Sequence, residues 1–118
     1  MQVNRWLDPN VAAAVYPLPS FPAPANTVVP AITGTAQDGE TLTGSLGTWT
    51  GSPGLARQWQ IAPGPGFTAW TDITGETAET YDVVTADVGK KIRLKVTGSN
   101  PGGTVSVFSD PTDEVIAA

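Results

Sequence analysis

The sequence predicts an all-β fold: a two-sheet β-sandwich of about seven short strands over residues 29–118, preceded by an extended, proline-rich arm over residues 1–28. Three observations predict it. Short runs of alternating apolar and polar residues follow one another through the last three-quarters of the chain, and clusters of Gly, Pro, Asn and Asp separate them. Thirteen glycines and eleven prolines stand in 118 residues, a balance that suits turns and strands and disfavours helices. The length supports one domain with a core of ordinary size for a sandwich.

The expected strands are 29–35, 40–45, 55–61, 68–73, 77–83, 90–98 and 104–109, with a last piece at 114–116. Between them lie turn formers: Gln37-Asp38-Gly39, Gly51-Ser52-Pro53-Gly54, Pro63-Gly64-Pro65-Gly66 and Asn100-Pro101-Gly102-Gly103. The most regular strand starts at Lys90. Ile92, Leu94 and Val96 share the face expected in the core, and Lys91, Arg93 and Lys95 share the other. That basic stripe suits an acidic partner, but a solvated face balanced by Glu76, Glu79 or other local carboxylates is the plainer expectation.

The arm has different physics. Pro9, Pro17, Pro19, Pro22 and Pro24 fix φ and remove amide donors, so residues 16–25 should be extended, near polyproline II, and excluded from a sheet interior. Solvated linkers are polar, yet this segment carries Val3, Trp6, Leu7, Val11, Val15, Tyr16, Leu18 and Phe21. Burying those side chains alone does not offset the entropy of ordering so many backbones, so an ordered arm also needs backbone hydrogen bonds or clefts on a second surface. Trp6, Leu7, Val11, Tyr16, Leu18 and Phe21 are the expected anchors on a partner. Folding back over its own sandwich is the alternative. Fully extended, the arm reaches roughly 85–100 Å, enough to span a neighbouring subunit.

Charge and composition narrow the function. Eleven acidic residues against six basic ones give a net charge of −5, which disfavours nucleic acid and anionic lipid surfaces as partners. The chain lacks cysteine, so packing rather than disulfides must stabilise it. The apolar run Val11-Ala12-Ala13-Ala14-Val15 is too short, and too closely bounded by Pro9 and Pro17, for a secretory core or a membrane span. The expectation is a protein made in a cytoplasm that does not leave by secretion.

No histidine and no cysteine are present, which removes Ser-His-Asp and Cys-His arrangements and most zinc sites. Asp82 with Asp87, or Asp38 with Glu40, are the nominal carboxylate pairs for glycoside cleavage, and both fall in turn-like contexts. Asp72, Asp82 and Asp87 show no calcium-loop spacing. The expectation is a protein without catalytic activity, cofactor or metal. Trp49, Phe67, Trp70 and Phe108 are candidates for a sugar-stacking platform, with core or edge packing the plainer role for Trp49 and Trp70. Phe67, beside Pro65-Gly66, is expected on an exposed loop; Phe67 and Trp70 are the candidate glycan contacts.

Several motifs together resemble a known family. Gly34-Thr35-Ala36 leads to Asp38-Gly39 and Leu42, then Gly47-Thr48-Trp49-Thr50-Gly51 and Gln58-Trp59-Gln60; Trp70-Thr71-Asp72-Ile73-Thr74-Gly75, Thr80-Tyr81, Ala86-Asp87-Val88-Gly89-Lys90 and Val96-Thr97 through Asn100-Pro101-Gly102-Gly103 follow. Their order resembles the immunoglobulin-like domains of bacterial surface proteins and of structural proteins of tailed bacteriophages, over about three-quarters of the chain. The resemblance implies an immunoglobulin-like sandwich with Trp59 buried between its sheets. Without cysteines, and with no Tyr after Asp87 to make a tyrosine corner, it does not imply antigen-style recognition.

One such domain, no secretion signal and an initiating methionine together resemble a phage virion protein. The resulting expectation is a non-enzymatic structural protein of a tailed-phage virion, a capsid decoration or head-associated protein assembled in the host cytoplasm. Its partners would be the major capsid protein or other virion subunits, and host-surface or mucus glycans. A carbohydrate-binding or host-adhesion module, and a tail or baseplate accessory protein, are the alternatives.

Overall fold

The computed structural model describes residues 21–118, and within them the fold is all-β. In chain order the strands are β1 (Ala25–Val28), β2 (Ile32–Thr33), β3 (Thr41–Gly44), β4 (Thr48–Thr50), β5 (Gly54–Pro63), β6 (Thr71–Asp72), β7 (Thr80–Asp82), β8 (Lys90–Asn100) and β9 (Gly103–Phe108), with a 3₁₀ turn at Thr85–Asp87 before β8. One sheet has the order β2-β3-β7 and the other β6-β5-β8-β9, while β1 and β4 form a two-stranded ribbon. Every strand pairing is antiparallel. β2 and β3, β5 and β6, and β8 and β9 pair directly with their neighbours in sequence, while the chain changes sheet between β3 and β4, β4 and β5, β6 and β7, and β7 and β8, as sandwich topologies do.

The core lies between the two larger sheets. Leu42, Tyr81 and Val83 come from the three-stranded side, and Trp59, Ile92, Leu94 and Val96 from the four-stranded side. Trp59 is fully buried, as its expected position requires; its indole N–H donates to the Ala78 carbonyl at 2.8 Å, and its ring meets Tyr81 at a centroid distance of 5.8 Å. Gly44 lets β3 come close enough for this packing, since a Cβ there would stand 2.5 Å from Leu94 Cδ2 and 3.1 Å from the Trp59 ring.

β8 matches its expected alternation: Ile92, Leu94 and Val96 are buried, and Lys91, Arg93 and Lys95 point the other way. The hairpin from β8 to β9 closes between Asn100 and Gly103, and Asn100 Oδ1 accepts the Gly102 N–H at 2.7 Å, an Asx turn of the kind these residues favour. Other expected strands are trimmed. The stretch 68–73 yields β6 alone, and 114–116 yields a single bridge from Ile116 to Gln37. Beyond β9, the Ser109, Thr112 and Val115 N–H groups donate to the Leu94, Ile92 and Lys90 carbonyls. That three-residue spacing forces the intervening residues, including Pro111 with no N–H, out of the ladder.

The beginning of the domain differs from its expectation. Instead of one strand over 29–35, paired structure begins at Ala25, and Pro30, fully buried, separates β1 from β2. Pro24 ends the proline run, and the next four residues all retain N–H groups, so they are free to pair with β4. A bulge interrupts that pairing between Asn26 and Val28, where Asn26 Nδ2 donates to the Val28 and Thr48 carbonyls at 2.8 and 3.1 Å. β4 itself was legible only as a motif around Trp49.

Candidate functional site

The outer face of the four-stranded sheet gathers most of the chemistry-bearing side chains. Cross-strand register sets it. Gln58 stands opposite Lys95, Gln60 opposite Arg93 and Ala62 opposite Lys91, while Lys95 faces Phe108 and Thr97 faces Ser106 on the other side. The intervening residues Trp59, Ile92, Leu94 and Val96 point inward, so the strand period of two places every outward residue on one surface. β6 adds Asp72 opposite Gln60, and the loop between β5 and β6 adds Phe67 and Trp70.

Arg93 is the centre of this face. Its guanidinium carbon lies 4.5 Å from the Trp70 ring centroid and 3.9 Å from that of Phe108, so two aromatic rings flank it. Arg93 Nε donates to Gln60 Oε1 at 2.8 Å, and Gln60 Nε2 donates in turn to Asp72 Oδ1 at 2.8 Å. Gln60 is buried, so both ends of its amide are satisfied by this chain of bonds. Burial pushes the Arg93 pKa down, yet an arginine remains charged at any ordinary pH.

Beside this cluster, Lys91 Nζ lies 4.9 Å over the Phe67 ring. Phe67 holds φ at +53°, a left-handed conformation rarely adopted by a bulky side chain, and its N–H donates to the Pro63 carbonyl at 3.1 Å. The loop thereby turns the ring back toward the sheet, leaving it half-buried rather than free on a loop tip. Phe67 and Trp70, the candidate glycan contacts, thus share one surface, and each already has a cation against its ring.

The carboxylates weighed for catalysis or calcium have other partners. Asp87 Oδ2 accepts from the Tyr81 hydroxyl at 2.6 Å and from the Val84 N–H at 3.1 Å, fixing the 3₁₀ turn that leads into β8. Burial first, and the Asp87 contact second, raise the Tyr81 pKa above its ordinary value. Asp82 accepts from the Thr41 hydroxyl at 2.8 Å, and Asp38 from the Thr85 hydroxyl at 2.7 Å. The Glu79 backbone lies beside the three-stranded sheet, where its carbonyl accepts the Gly44 N–H, and the Glu76 backbone lies beside β5, where its carbonyl accepts the Trp59 N–H. Among the described residues, no group of three or more His, Cys, Asp or Glu side chains is placed to hold a metal ion.

Of the expected arm anchors, Trp6, Leu7, Val11, Tyr16 and Leu18 lie outside the described residues. Phe21 is described and half-exposed, at the tip of the β8–β9 hairpin. There Asn100 Nδ2 donates to the Pro22 carbonyl at 3.0 Å and to the Gly51 carbonyl at 2.9 Å. A Cβ on Gly102 would collide with the Phe21 and Pro22 backbone, so only glycine permits this approach. A groove of about 550 Å³ runs elsewhere, between β2 and the Asp110 to Asp113 segment.

The Arg93 cluster escapes a reading of the sequence because its members sit at positions 60, 70, 93 and 108. The alternation of β8 marks Arg93 as outward, but which loop and which edge strand supply its rings depends on register. No known protein family matches this chain, and no curated protein matches it either.

Proposed function

We propose that this protein is a non-enzymatic structural module that attaches to a larger assembly through its N-terminal arm and holds its sandwich away from the attachment point. The carrying observation is the placement of the two ends of the domain. The arm joins at the β8–β9 hairpin, where Asn100 holds Pro22, whereas Val115 is bonded at the other end of β8 through Gly89 and Lys90. The eleven residues of β8 separate them by about 33 Å. An arm that continues away from Pro22 at that end would leave both sheet faces and the far end to project.

Together with the resemblance to immunoglobulin-like domains, this supports a place in a tailed-phage virion, as a capsid decoration or head-associated protein bound to the major capsid protein or neighbouring subunits. A tail or baseplate position would use the arm in the same way. The test is a deletion of residues 1–20, which leaves β1 and the Pro22 contact intact. The shortened chain should remain folded and lose co-sedimentation with the phage particles that carry the full chain. Undiminished incorporation would remove the anchoring role.

A carbohydrate-binding or host-adhesion role is the second reading, favoured by the presence of Phe67 and Trp70 on one surface. It expects glycan-array binding by the full chain that disappears in folded Phe67→Ala and Trp70→Ala variants.

A further inference from the structure

We infer that the outer face of the β6-β5-β8-β9 sheet is a docking surface for an extended acidic polypeptide segment of a partner protein, with Arg93 as the central contact and Lys91 and Lys95 on either side. The inference does not depend on how the arm is anchored.

It begins with an imbalance of charge. The whole chain carries a net charge of −5, yet Lys91, Arg93 and Lys95 stand together on this face. Among the described residues, the Arg93 guanidinium donates only to Gln60, and neither lysine ammonium donates to any protein acceptor. Asp72, the nearest outward carboxylate in register, accepts from Gln60 instead. A cationic stripe that served only as a solvated face would be expected to use the carboxylates that are plentiful elsewhere in the chain.

The second step is the immobilisation of the central guanidinium. The Trp70 and Phe108 rings lie 4.5 and 3.9 Å from its carbon and Gln60 accepts from its Nε, so the side chain is restrained before any partner arrives while its terminal amino groups stay unbonded among the described residues. A planar fork of N–H donors suits a carboxylate bidentately, and the side-chain entropy that binding ordinarily costs is already lost.

Spacing and ring coverage then select the kind of anion. Side chains two residues apart on a strand recur every 6.6–6.8 Å or so, the same repeat at which an extended peptide presents alternate side chains. A segment with glutamate or aspartate at every second residue, lying along β8, therefore meets Lys91, Arg93 and Lys95 in register. One face of each of Phe67, Trp70 and Phe108 already has a cation of this chain against it, which leaves less ring surface for a neutral sugar than for an anion that pairs with those cations.

The experiment titrates the full chain with a synthetic peptide of alternating glutamate and serine at low salt, about 50 mM, and again at about 300 mM, following backbone amide shifts by NMR. The expected result is saturable shifts at residues of β8, β9 and the loop carrying Trp70, and weaker binding at the higher salt. Arg93→Gln should weaken binding by roughly tenfold or more. Lys91→Gln combined with Lys95→Gln, which leaves the Arg93 stack undisturbed, should weaken it by a few-fold or more. Absence of saturable binding, equal binding by both variants, or shifts confined to other parts of the domain would overturn the proposal. So would tighter binding of a sulfated or carboxylated oligosaccharide than of the peptide, which would assign the face to an anionic glycan.

Discussion

The two outer faces of the sandwich are built on the same kind of strand and differ in how their polar groups are used. On the three-stranded sheet the outward residues are Thr33, Thr41, Thr43, Thr80 and Asp82. Thr41 donates to Asp82 across the strands, so hydroxyl and carboxylate satisfy one another. β-Branched threonines stiffen such a surface and suit the pleat. On the four-stranded sheet a guanidinium is held between two rings and two lysines stand beside it, with donors left over. The contrast teaches that a face closed on itself serves the fold, whereas a rigid face with surplus donors is prepared for a partner.

Removing what both faces rest on should erase the difference altogether. Trp59→Ala deletes the largest fully buried side chain and leaves the Ala78 carbonyl without its donor, and should cost about 3–5 kcal/mol in chemical denaturation. Both faces should be lost together in one cooperative transition.

Tyr81→Phe sharpens the comparison by acting on the three-stranded side and the turn below it. The hydrogen bond to Asp87 disappears while the ring remains, for a loss of about 1 kcal/mol at neutral pH. The pH dependence has a definite sign. The folded state keeps the Tyr81 phenol neutral, while in the unfolded chain it ionises near its ordinary value of about 10. Its contribution is thus whole below about pH 10 and falls as pH rises beyond it, by at most about 1.4 kcal/mol per unit. The stability gap between the parent and Tyr81→Phe should therefore narrow above pH 10 and stay constant from pH 6 to 9 or so.

The smallest effect belongs to the cationic face. Three like charges along one strand repel weakly, so Lys95→Gln should raise thermal stability by a few tenths of a kcal/mol at low salt, and about 150 mM salt should cut the gain to roughly half. Asp82→Asn on the opposite face should be neutral or slightly destabilising, since Thr41 loses a charged acceptor. Equal responses of the two faces to salt would undo the contrast.

How far the sequence discloses all this depends on the reach of each signal. β8 is legible because its alternation is uninterrupted over Lys91 to Val96, and the turn at Asn100 because one side chain closes it locally. Trp59 is legible as core through the Gln58-Trp59-Gln60 motif, whose resemblance to immunoglobulin-like sandwiches implies a tryptophan buried between the sheets. β1 is hidden because the proline run ends only one residue before it, and β4 because three residues carry too little periodicity to register. Asp87, weighed beside Asp82 as a carboxylate pair, turns out to serve Tyr81 and the turn; that partnership crosses six residues through a buried hydroxyl. The Trp70, Arg93 and Phe108 stack is the least legible of all, because three separate stretches meet only once register is fixed.

The way the arm enters the domain has a mechanical consequence. β1 lies antiparallel to β4 with Ala25 opposite Thr50, and Pro22 is gripped just beyond that ribbon by Asn100. The Asn26 side chain adds bonds to the Val28 and Thr48 carbonyls within that ribbon, so the Pro22 contact and the whole β1–β4 pairing stand between the arm and the rest of the sandwich along the chain. Tension applied to the arm would therefore meet the Pro22 contact and the β1–β4 pairing before the core around Trp59, because both precede it along the chain.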